Sequence, residues 1–201
     1  MIRILLAEDQ SMVREALAAL LGLEPDLEVV AQVARGDEVV AAAREHAVDV
    51  ALLDIEMPGL TGIEAAARLH AELPGVRIVV LTTFGRPGYL RGAMEAGASA
   101  FLVKDAPAAK LAEAVRLVLA GERVIDPTLA AAALAEGANP LTHREREVLR
   151  EAADGAGNAE LAARLHLSQG TVRNHLSAAI QKLAARNRAE AVRTARDKGW
   201  L

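Results

Sequence analysis

The sequence predicts an α/β domain with a doubly wound parallel sheet, followed by a smaller domain made only of helices. Up to about residue 121, short apolar runs alternate with longer segments of helical period, a pattern typical of repeated βα units. Beyond residue 140, no segment has the character of a strand. We therefore expect one domain at 1–121 and another at 140–201, joined by a linker at 122–139 that contains a short helix.

Five segments of the first domain are predicted to be buried strands, because they are short, apolar and rich in Val, Ile and Leu. They are residues 2–7, 27–33, 48–54, 76–82 and 100–103. A helical segment follows each strand; in the first of these, Val13, Leu17 and Leu20 fall on one face. Right-handed crossovers then place helices on both faces of the sheet, with the functional crevice at the carboxyl ends of the strands.

The second domain is predicted to contain four helices. Helical spacing covers residues 141–153, 158–165, 169–183 and 189–198. Thr142, followed three residues later by Glu145, predicts a capping box, and Asn158 is expected to cap the second of these helices. An alanine-rich stretch after Asp126 is expected to form the linker helix, which the run 137–140 ends.

Composition narrows the class of protein. The absence of cysteine excludes disulfides and thiolate metal sites, and the five histidines have no metal-ligand spacing. No apolar run is long enough to cross a bilayer and the first residues do not resemble a signal peptide, so we expect a cytoplasmic protein without membrane insertion.

Charge differs in sign between the two parts of the chain. Residues 1–139 carry 20 acidic and 12 basic side chains, whereas residues 140–201 carry 7 and 11. A basic second domain suits a polyanion, although solvated surface charge explains the imbalance equally well.

Chemically active side chains fall at the ends of four predicted strands. Glu8 and Asp9 follow the first strand, Asp54 closes the third, Thr82 closes the fourth and Lys104 follows the fifth. These positions converge at one edge of the sheet, where three carboxylates repel each other unless a proton or a cation neutralises them. An oxygen-rich site of this kind suits Mg²⁺, and a carboxylate beside Mg²⁺ and a lysine can act as a phosphoryl acceptor.

Each of these residues alone also has an ordinary structural explanation. Asp9 can cap a helix, Thr82 is a good strand former, and Lys104 can be solvated. Together, these explanations do not account for an ionisable residue, Asp54, at the end of a run as apolar as 50–53. We therefore favour a shared site.

The strings LLAEDQ, LLDIEMPGLTG, VVLTTF and GASAFLVKD resemble the receiver domain of bacterial response regulators, in that family's order and spacing. The resemblance implies a flavodoxin-like five-stranded sheet of order 2-1-3-4-5, with Asp54 as the phosphorylated aspartate. The other implied roles are Mg²⁺ ligation by Glu8, Asp9, Asp54 and the backbone carbonyl of Glu56, a switch at Thr82 and Phe101, and contact of Lys104 with the phosphoryl group. Phe101 is equally well explained as a core residue.

Two positions depart from the receiver pattern. Asp105 follows Lys104 where many receivers have a proline after a cis bond, so a cis peptide is not expected. Glu8 is the first acidic position, where an aspartate would be one methylene shorter.

The third helix of the second domain has side chains of the kind that read DNA. With Val172, Leu176, Ile180 and Leu183 on its buried face, Arg173, Asn174 and Ser177 face outward and can bond to base edges in a major groove, although any amphipathic surface helix has this pattern. The runs NPLTHREREVLREAADG and ELAARLHLSQGTVRNHLSAAIQKL are similar to the helix-turn-helix DNA-binding domain of the NarL/LuxR family. That resemblance implies base-facing roles for Arg173, Asn174 and Ser177, and phosphate contacts by Thr171, Lys182 and Arg188.

Together the resemblances imply a two-component response regulator of the NarL/LuxR family. A sensor histidine kinase would phosphorylate Asp54, and the protein would then form a homodimer and bind specific double-stranded DNA to regulate transcription. Helices near 11–22 or 107–121 would join the receivers, and 189–198 would join the DNA-binding domains. The strings AEDQ, DIEMPG, LTTFGRPGY, NPLT and KGW are most similar to the regulators of fatty-acid desaturase expression, which act with a membrane-embedded kinase.

The residues alone are also compatible with two other classes of protein. An aspartate-nucleophile phosphohydrolase would share the sheet, the Mg²⁺ and the acyl phosphate, and Glu56 has the spacing of its second acid, but on the third strand instead of the first. A phosphorylation-independent DNA-binding or scaffold protein is the other class. We expect no enzymatic turnover beyond Mg²⁺-dependent self-phosphorylation from a donor and slow autodephosphorylation.

Overall fold

The computed structural model describes residues 1–83, 86–136 and 138–201. The strings VVLTTF and LTTFGRPGY include Phe84 and Gly85, and the predicted chain break includes Gly137; these three residues lie outside the description. The described residues divide into two units, one from 1–83 and 90–132 and the other from 86–89, 133–136 and 138–201. Within them, no helix has both the length and the apolar character that a membrane span requires.

The first unit is built on a parallel sheet of order β2-β1-β3-β4-β5-β6. The strands are β1 Ile2–Ala7, β2 Leu27–Val33, β3 Val50–Asp54, β4 Arg77–Thr82, β5 Ala100–Val103 and β6 Val124–Ile125. The predicted fold and the predicted order of the first five strands are confirmed, and the sheet has one strand more than predicted. β6 pairs with β5, and the amide of Val124 donates to the carbonyl of Ser99 at 3.1 Å. A strand of two residues is too short to produce a periodic signal in the sequence.

Helices follow the first five strands as predicted. They are α1 Ser11–Leu21, α2 Val39–Glu45, α3 Gly62–Glu72, α4 Pro87–Glu95 and α5 Ala108–Leu119, with a short 3₁₀ turn at Gly36–Glu38 before α2. Thr61 caps α3 through a capping box with Glu64, which fixes where the chain turns back after β3. The turn is tight, because the amide of Gly62 donates to the carbonyl of Ile55 at 2.9 Å.

The core of the first unit holds the strand ends in place. All five residues of β3 are buried, and Leu52 packs in a cluster with residues of neighbouring strands and of α5, among them Ile4, Val79 and Val115. Each such aliphatic side chain contributes roughly 1.5–3 kcal/mol when fully buried. The loops that leave the carboxyl edge of the sheet therefore start from a rigid base.

The second part of the chain is helical, as predicted. After α6 Pro127–Glu136, in the segment predicted to be the linker, come α7 His143–Glu151, α8 Asn158–Arg164, α9 Gln169–Lys182 and α10 Arg188–Asp197, with a 3₁₀ turn at Ala152–Asp154. The capping box of Thr142 and Glu145 is confirmed. The prediction that Asn158 caps α8 is wrong: Gly157 is the N-cap, without a side-chain bond, and Asn158 is the first helical residue.

The core of the second unit lies between these helices. Val172 and Leu176 of α9 are buried, whereas Ile180 and Leu183 of the same predicted face are partly buried against the cluster. Trp200 closes the cluster at the end of the chain and is only 9 % exposed. The opposite face of α9 is left open to solvent.

Candidate functional site

The predicted site residues of the first unit lie at the carboxyl edge of its sheet. β-Ladder pairs align Ala7 with Leu53, Asp54 with Leu81, and Thr82 with Val103, so the ends of β1, β3, β4 and β5 lie side by side. The residues that end or follow these strands therefore come from distant parts of the sequence to one place, as the topology predicts.

Lys104 lies between two carboxylates at this edge. Its Nζ is 2.8 Å from Oδ1 of Asp54 and 2.5 Å from Oε2 of Glu8. Glu8 is fully buried and Asp54 is 4 % exposed, whereas Asp9 is open to solvent. One cation thus bridges two buried carboxylates, and the third carboxylate, that of Asp9, is exposed to solvent.

Burial and the lysine act against each other on Asp54. Burial raises its pKa and the charge of Glu8 acts in the same direction, while the hydrogen bond and charge of Lys104 lower it; burial prevails, so the pKa lies above its usual value. Burial would also lower the pKa of Lys104, but Asp54 and Glu8 outweigh it and the pKa of the lysine is raised. The lysine therefore stays charged and keeps the two carboxylates together.

The three carboxylates can accept a divalent ion. Oxygen atoms of Glu8, Asp9 and Asp54 all lie within 4.8 Å of one another. These are hard ligands of the kind that Mg²⁺ prefers, and the exposed position of Asp9 leaves room for the waters that Mg²⁺ usually retains. With one lysine, the cluster keeps a net charge of −2, which a divalent ion neutralises. The donor set therefore fits Mg²⁺.

The other predicted residues of this site lie close by along the chain. Thr82 is buried at the end of β4, and its carbonyl accepts from the amide of Lys104 at 2.8 Å. Phe101 is fully buried in β5, which agrees with its explanation as a core residue and leaves its switch role a prediction. The side chain of Glu56 is exposed, just past β3. No peptide bond of the described residues is cis. This agrees with the expectation drawn from Asp105, which follows Lys104 where many receivers have a proline.

Two residues that support this site were not predicted. Arg14 of α1 donates from Nη1 to the carbonyl of Glu8 at 2.6 Å. Gly62 lies so close to β3 that a Cβ placed on it would be 1.9 Å from the carbonyl oxygen of Asp54. The sequence does not indicate these supporting roles, because an arginine one turn into a helix and a glycine at a helix start are both common.

In the second unit, the three predicted base-facing residues share an open surface. Arg173, Asn174 and Ser177 are all exposed on α9, which Ser168 caps by accepting a hydrogen bond from the amide of Thr171 at 3.0 Å. An exposed helix with a cation, an amide and a hydroxyl in its first turns presents the donors and acceptors that read base edges.

The residues predicted to contact phosphates have partners within the chain. Thr171 Oγ1 lies 2.8 Å from Ser168 Oγ. Lys182 Nζ lies 2.7 and 2.9 Å from the two carboxylate oxygens of Glu145. Arg188 donates to the carbonyls of Ala156, at 2.5 Å, and Gly155, at 3.0 Å. The structure therefore gives the two cations an internal role that the sequence did not suggest.

Comparison with known proteins covers both units. Residues 4–116 match the family described as the response regulator receiver domain, and residues 139–195 match bacterial regulatory proteins, luxR family. From Bacillus subtilis (strain 168), transcriptional regulatory protein DesR is 46% identical over 201 residues and the uncharacterized transcriptional regulatory protein YvfU is 44% identical, each match covering 100% of both chains. Among solved structures, response regulator ChrA of a heme-sensing two-component system is 34% identical with a TM-score of 0.59, covering 100% of this chain and 98% of that one. The similarity to DesR agrees with the narrower resemblance drawn from the short strings.

Proposed function

The chain belongs to the bacterial response regulators that join a receiver domain to a luxR-family regulatory domain, and from this premise we propose that phosphorylation of Asp54 controls its binding to DNA. The observation that carries the proposal is the ion-paired cluster in which Lys104 contacts Asp54 and Glu8. We assign residues 1–121 to the receiver, 122–139 to the linker and 140–201 to the DNA-binding domain.

Asp54 is the nucleophile in this proposal. One of its carboxylate oxygens attacks the phosphorus of a phosphohistidine or an acyl phosphate, the bond from phosphorus to the donor breaks, and an acyl phosphate forms on Asp54. Glu8, Asp9, Asp54 and the backbone carbonyl of Glu56 would hold Mg²⁺, which when bound supplies positive charge to the transferring oxygens. Lys104, already 2.8 Å from Asp54, would also neutralise charge that develops on the transferring oxygens.

Thr82 and Phe101 are the proposed relay from the phosphoryl group. Thr82 ends the strand next to Asp54, so its hydroxyl can turn to bond a new phosphoryl oxygen. Phe101 lies on the adjacent strand and is packed in the core, so a change in its position alters the packing around it. Both residues act by shifting the balance between two arrangements of the receiver.

Dimerisation would connect the receiver to DNA. Apolar side chains are exposed along α1 and at its end, namely Met12, Leu20 and Leu23, and Leu119 is partly exposed at the end of α5. We propose that these two helices form the receiver contact and that α10 joins the DNA-binding domains. Two recognition helices would then reach half-sites about one turn of DNA apart.

The two domains also imply the partners of the protein. A receiver implies a histidine kinase as its phosphoryl donor, and we propose that this kinase is embedded in the membrane while the regulator is cytoplasmic. In the DNA-binding domain, Arg173, Asn174 and Ser177 would contact bases, and Thr171 would contact a phosphate. Lys182 and Arg188 would need to leave or share their partners in the chain to do the same.

Substitution of Asp54 tests the proposal. The full-length Asp54→Asn variant should take up no phosphoryl group from acetyl phosphate with Mg²⁺, and its affinity for a duplex selected by the phosphorylated wild type should not rise with the donor. Glu56→Gln is the matched control: it keeps the backbone carbonyl, so labelling should be unchanged. Phosphoryl uptake by Asp54→Asn equal to wild type would overturn the proposal.

The same variants separate the other classes of protein. A phosphohydrolase that uses Glu56 as its second acid would hydrolyse a phosphate monoester repeatedly, and Glu56→Gln would abolish that turnover. A regulator should instead show slow labelling at a single site. A phosphorylation-independent DNA-binding protein would bind the selected duplex equally well with and without donor.

A further inference from the structure

We propose that Lys182 positions the recognition helix α9 through Glu145, and that its ammonium group does not bind a DNA phosphate. The inference rests on the proposed function, because it concerns how the DNA-binding surface is held. It replaces the role that the family resemblance implies for this lysine.

The first support is the set of contacts around Glu145. Its side chain is 7% exposed, and both carboxylate oxygens lie within 2.9 Å of Lys182 Nζ. Oε2 also accepts from the amide of Thr142 at 2.7 Å, in the capping box of α7. If Lys182 turned to a phosphate, a buried carboxylate would lose its cation, which is far more costly than losing an exposed pair.

The second support is the direction in which Lys182 faces. At 3.6 residues per turn, Lys182 lies about 180° around α9 from Arg173 and roughly 140° from Ser177. Two buried residues of the helix, Val172 and Ala179, lie only roughly 60–80° from it by the same measure. Lys182 therefore points toward Glu145 of α7 and away from Arg173 and Ser177, whereas Asn174 lies about 80° from it by the same measure.

The third support is that α9 is fixed at both ends by different means. Ser168 caps its first turn, and the Lys182 to Glu145 pair ties its last residue to the first turn of α7. A cation at a helix C-terminus also interacts favourably with the helix dipole. Since α9 spans about 21 Å, a small tilt at the Lys182 end displaces Arg173 and Asn174 at the other.

The test measures DNA binding by full-length protein carrying Lys182→Gln, Glu145→Gln or both, on a duplex that the wild type selects from a random pool. We expect each single variant to weaken binding by a similar factor, about 3- to 10-fold, with no further loss in the double variant. The slope of log affinity against log salt should stay that of the wild type. Arg150→Gln, at an exposed cation of α7 that lies outside both α9 and the proposed dimer helix α10, controls for loss of one positive charge.

The alternative makes opposite predictions. If Lys182 binds a phosphate, Lys182→Gln should reduce the salt slope by about one, while Glu145→Gln should leave affinity unchanged or raise it; that outcome overturns the inference. If the wild type selects no duplex, the proposed function fails, and amide hydrogen exchange decides the inference instead. Faster exchange in the last turn of α9 in both single variants supports the positioning role, and unchanged exchange overturns it.

Discussion

Arg14 Nη1 donates a hydrogen bond of 2.6 Å to the backbone carbonyl of Glu8, the residue before Asp9. The bond ties the first turns of α1 to the loop that carries two of the three clustered carboxylates. A guanidinium is a charged donor, so the bond is stronger than one between neutral groups. Arg14 therefore fixes the backbone from which Glu8 and Asp9 extend.

Replacement of Arg14 should weaken the binding of Mg²⁺ without removing a ligand. In Arg14→Met we expect the half-saturating Mg²⁺ concentration for labelling by acetyl phosphate to rise about 3- to 10-fold, since a lost hydrogen bond costs roughly 1 kcal/mol. Labelling at saturating Mg²⁺ should match the wild type, and the rise in melting temperature with Mg²⁺ should shift to higher concentration. Arg44→Met removes an exposed pair with Glu72 and should change neither titration. An unaltered titration in Arg14→Met would contradict the role of Arg14.

Lys104 should stabilise the receiver as well as assist phosphorylation. Lys104→Met leaves Glu8 and Asp54 buried without their cation, so we expect urea unfolding, followed by far-UV circular dichroism, to show a loss of about 3 kcal/mol at neutral pH. Mg²⁺ should stabilise this variant more than the wild type, because it neutralises the same carboxylates. Lys110→Met, at an exposed position of α5, is the control. Equal stability of Lys104→Met and wild type without Mg²⁺ would be evidence against this role.

Gly62 should be irreplaceable because of its contact with the strand that carries Asp54. A Cβ at Gly62 would lie 1.9 Å from the carbonyl oxygen of Asp54, so Gly62→Ala must push β3 or α3 aside. We expect a destabilisation of about 1–3 kcal/mol, as for other overpacked sites, together with slower labelling of Asp54. Gly75→Ala is the matched control, since no atom lies within 4 Å of its added Cβ. Urea unfolding and acetyl phosphate labelling measure both effects, and similar behaviour of the two variants would contradict the prediction.

The receiver cluster was predictable because its geometry follows from periodicity and topology. Strand ends can be read from short apolar runs, and a parallel sheet brings those ends to one edge. Glu8, Asp54 and Lys104 could therefore be placed together although up to 96 residues separate them. Strand β6 could not be predicted, because two residues carry no period.

Side-chain partners between helices could not be predicted in the same way. Lys182 and Glu145 lie 37 positions apart on different helices. Which helices pack against each other depends on the tertiary structure, and the local sequence pattern does not determine it. The outward position of Arg173 was predictable, since it follows from the spacing of apolar residues on its own helix. The capping of α8 shows that residue type alone does not fix the start of a helix. Asparagine is a favourable N-cap residue, but the N-cap of α8 is Gly157, one residue before Asn158.

The pKa of Glu145 makes the stability of the second unit sensitive to acid. Burial opposes its charge, but hydrogen bonds from Lys182 and Thr142 outweigh burial and hold its pKa below the ordinary value of 4.5. The folded state thus binds fewer protons at this residue than the unfolded state. Its contribution to stability is therefore complete above pH 4.5 and is lost as the pH falls through the lower pKa of the folded state.

Fluorescence of Trp200, the only tryptophan in the sequence, can follow this loss because the residue is buried in the core of the second unit. In the wild type we expect the urea midpoint to fall as the pH is lowered from about 5 to about 3. Glu145→Gln should have a lower midpoint at neutral pH and a shallower fall over the same range, because the amide does not titrate. Asp154 and Glu190, whose pKa values Arg164 and Arg186 also lower, keep some acid sensitivity in the variant. If the two proteins lost stability in parallel below pH 5, Glu145 would not be the group responsible, and its bond with Lys182 would contribute less than the structure indicates.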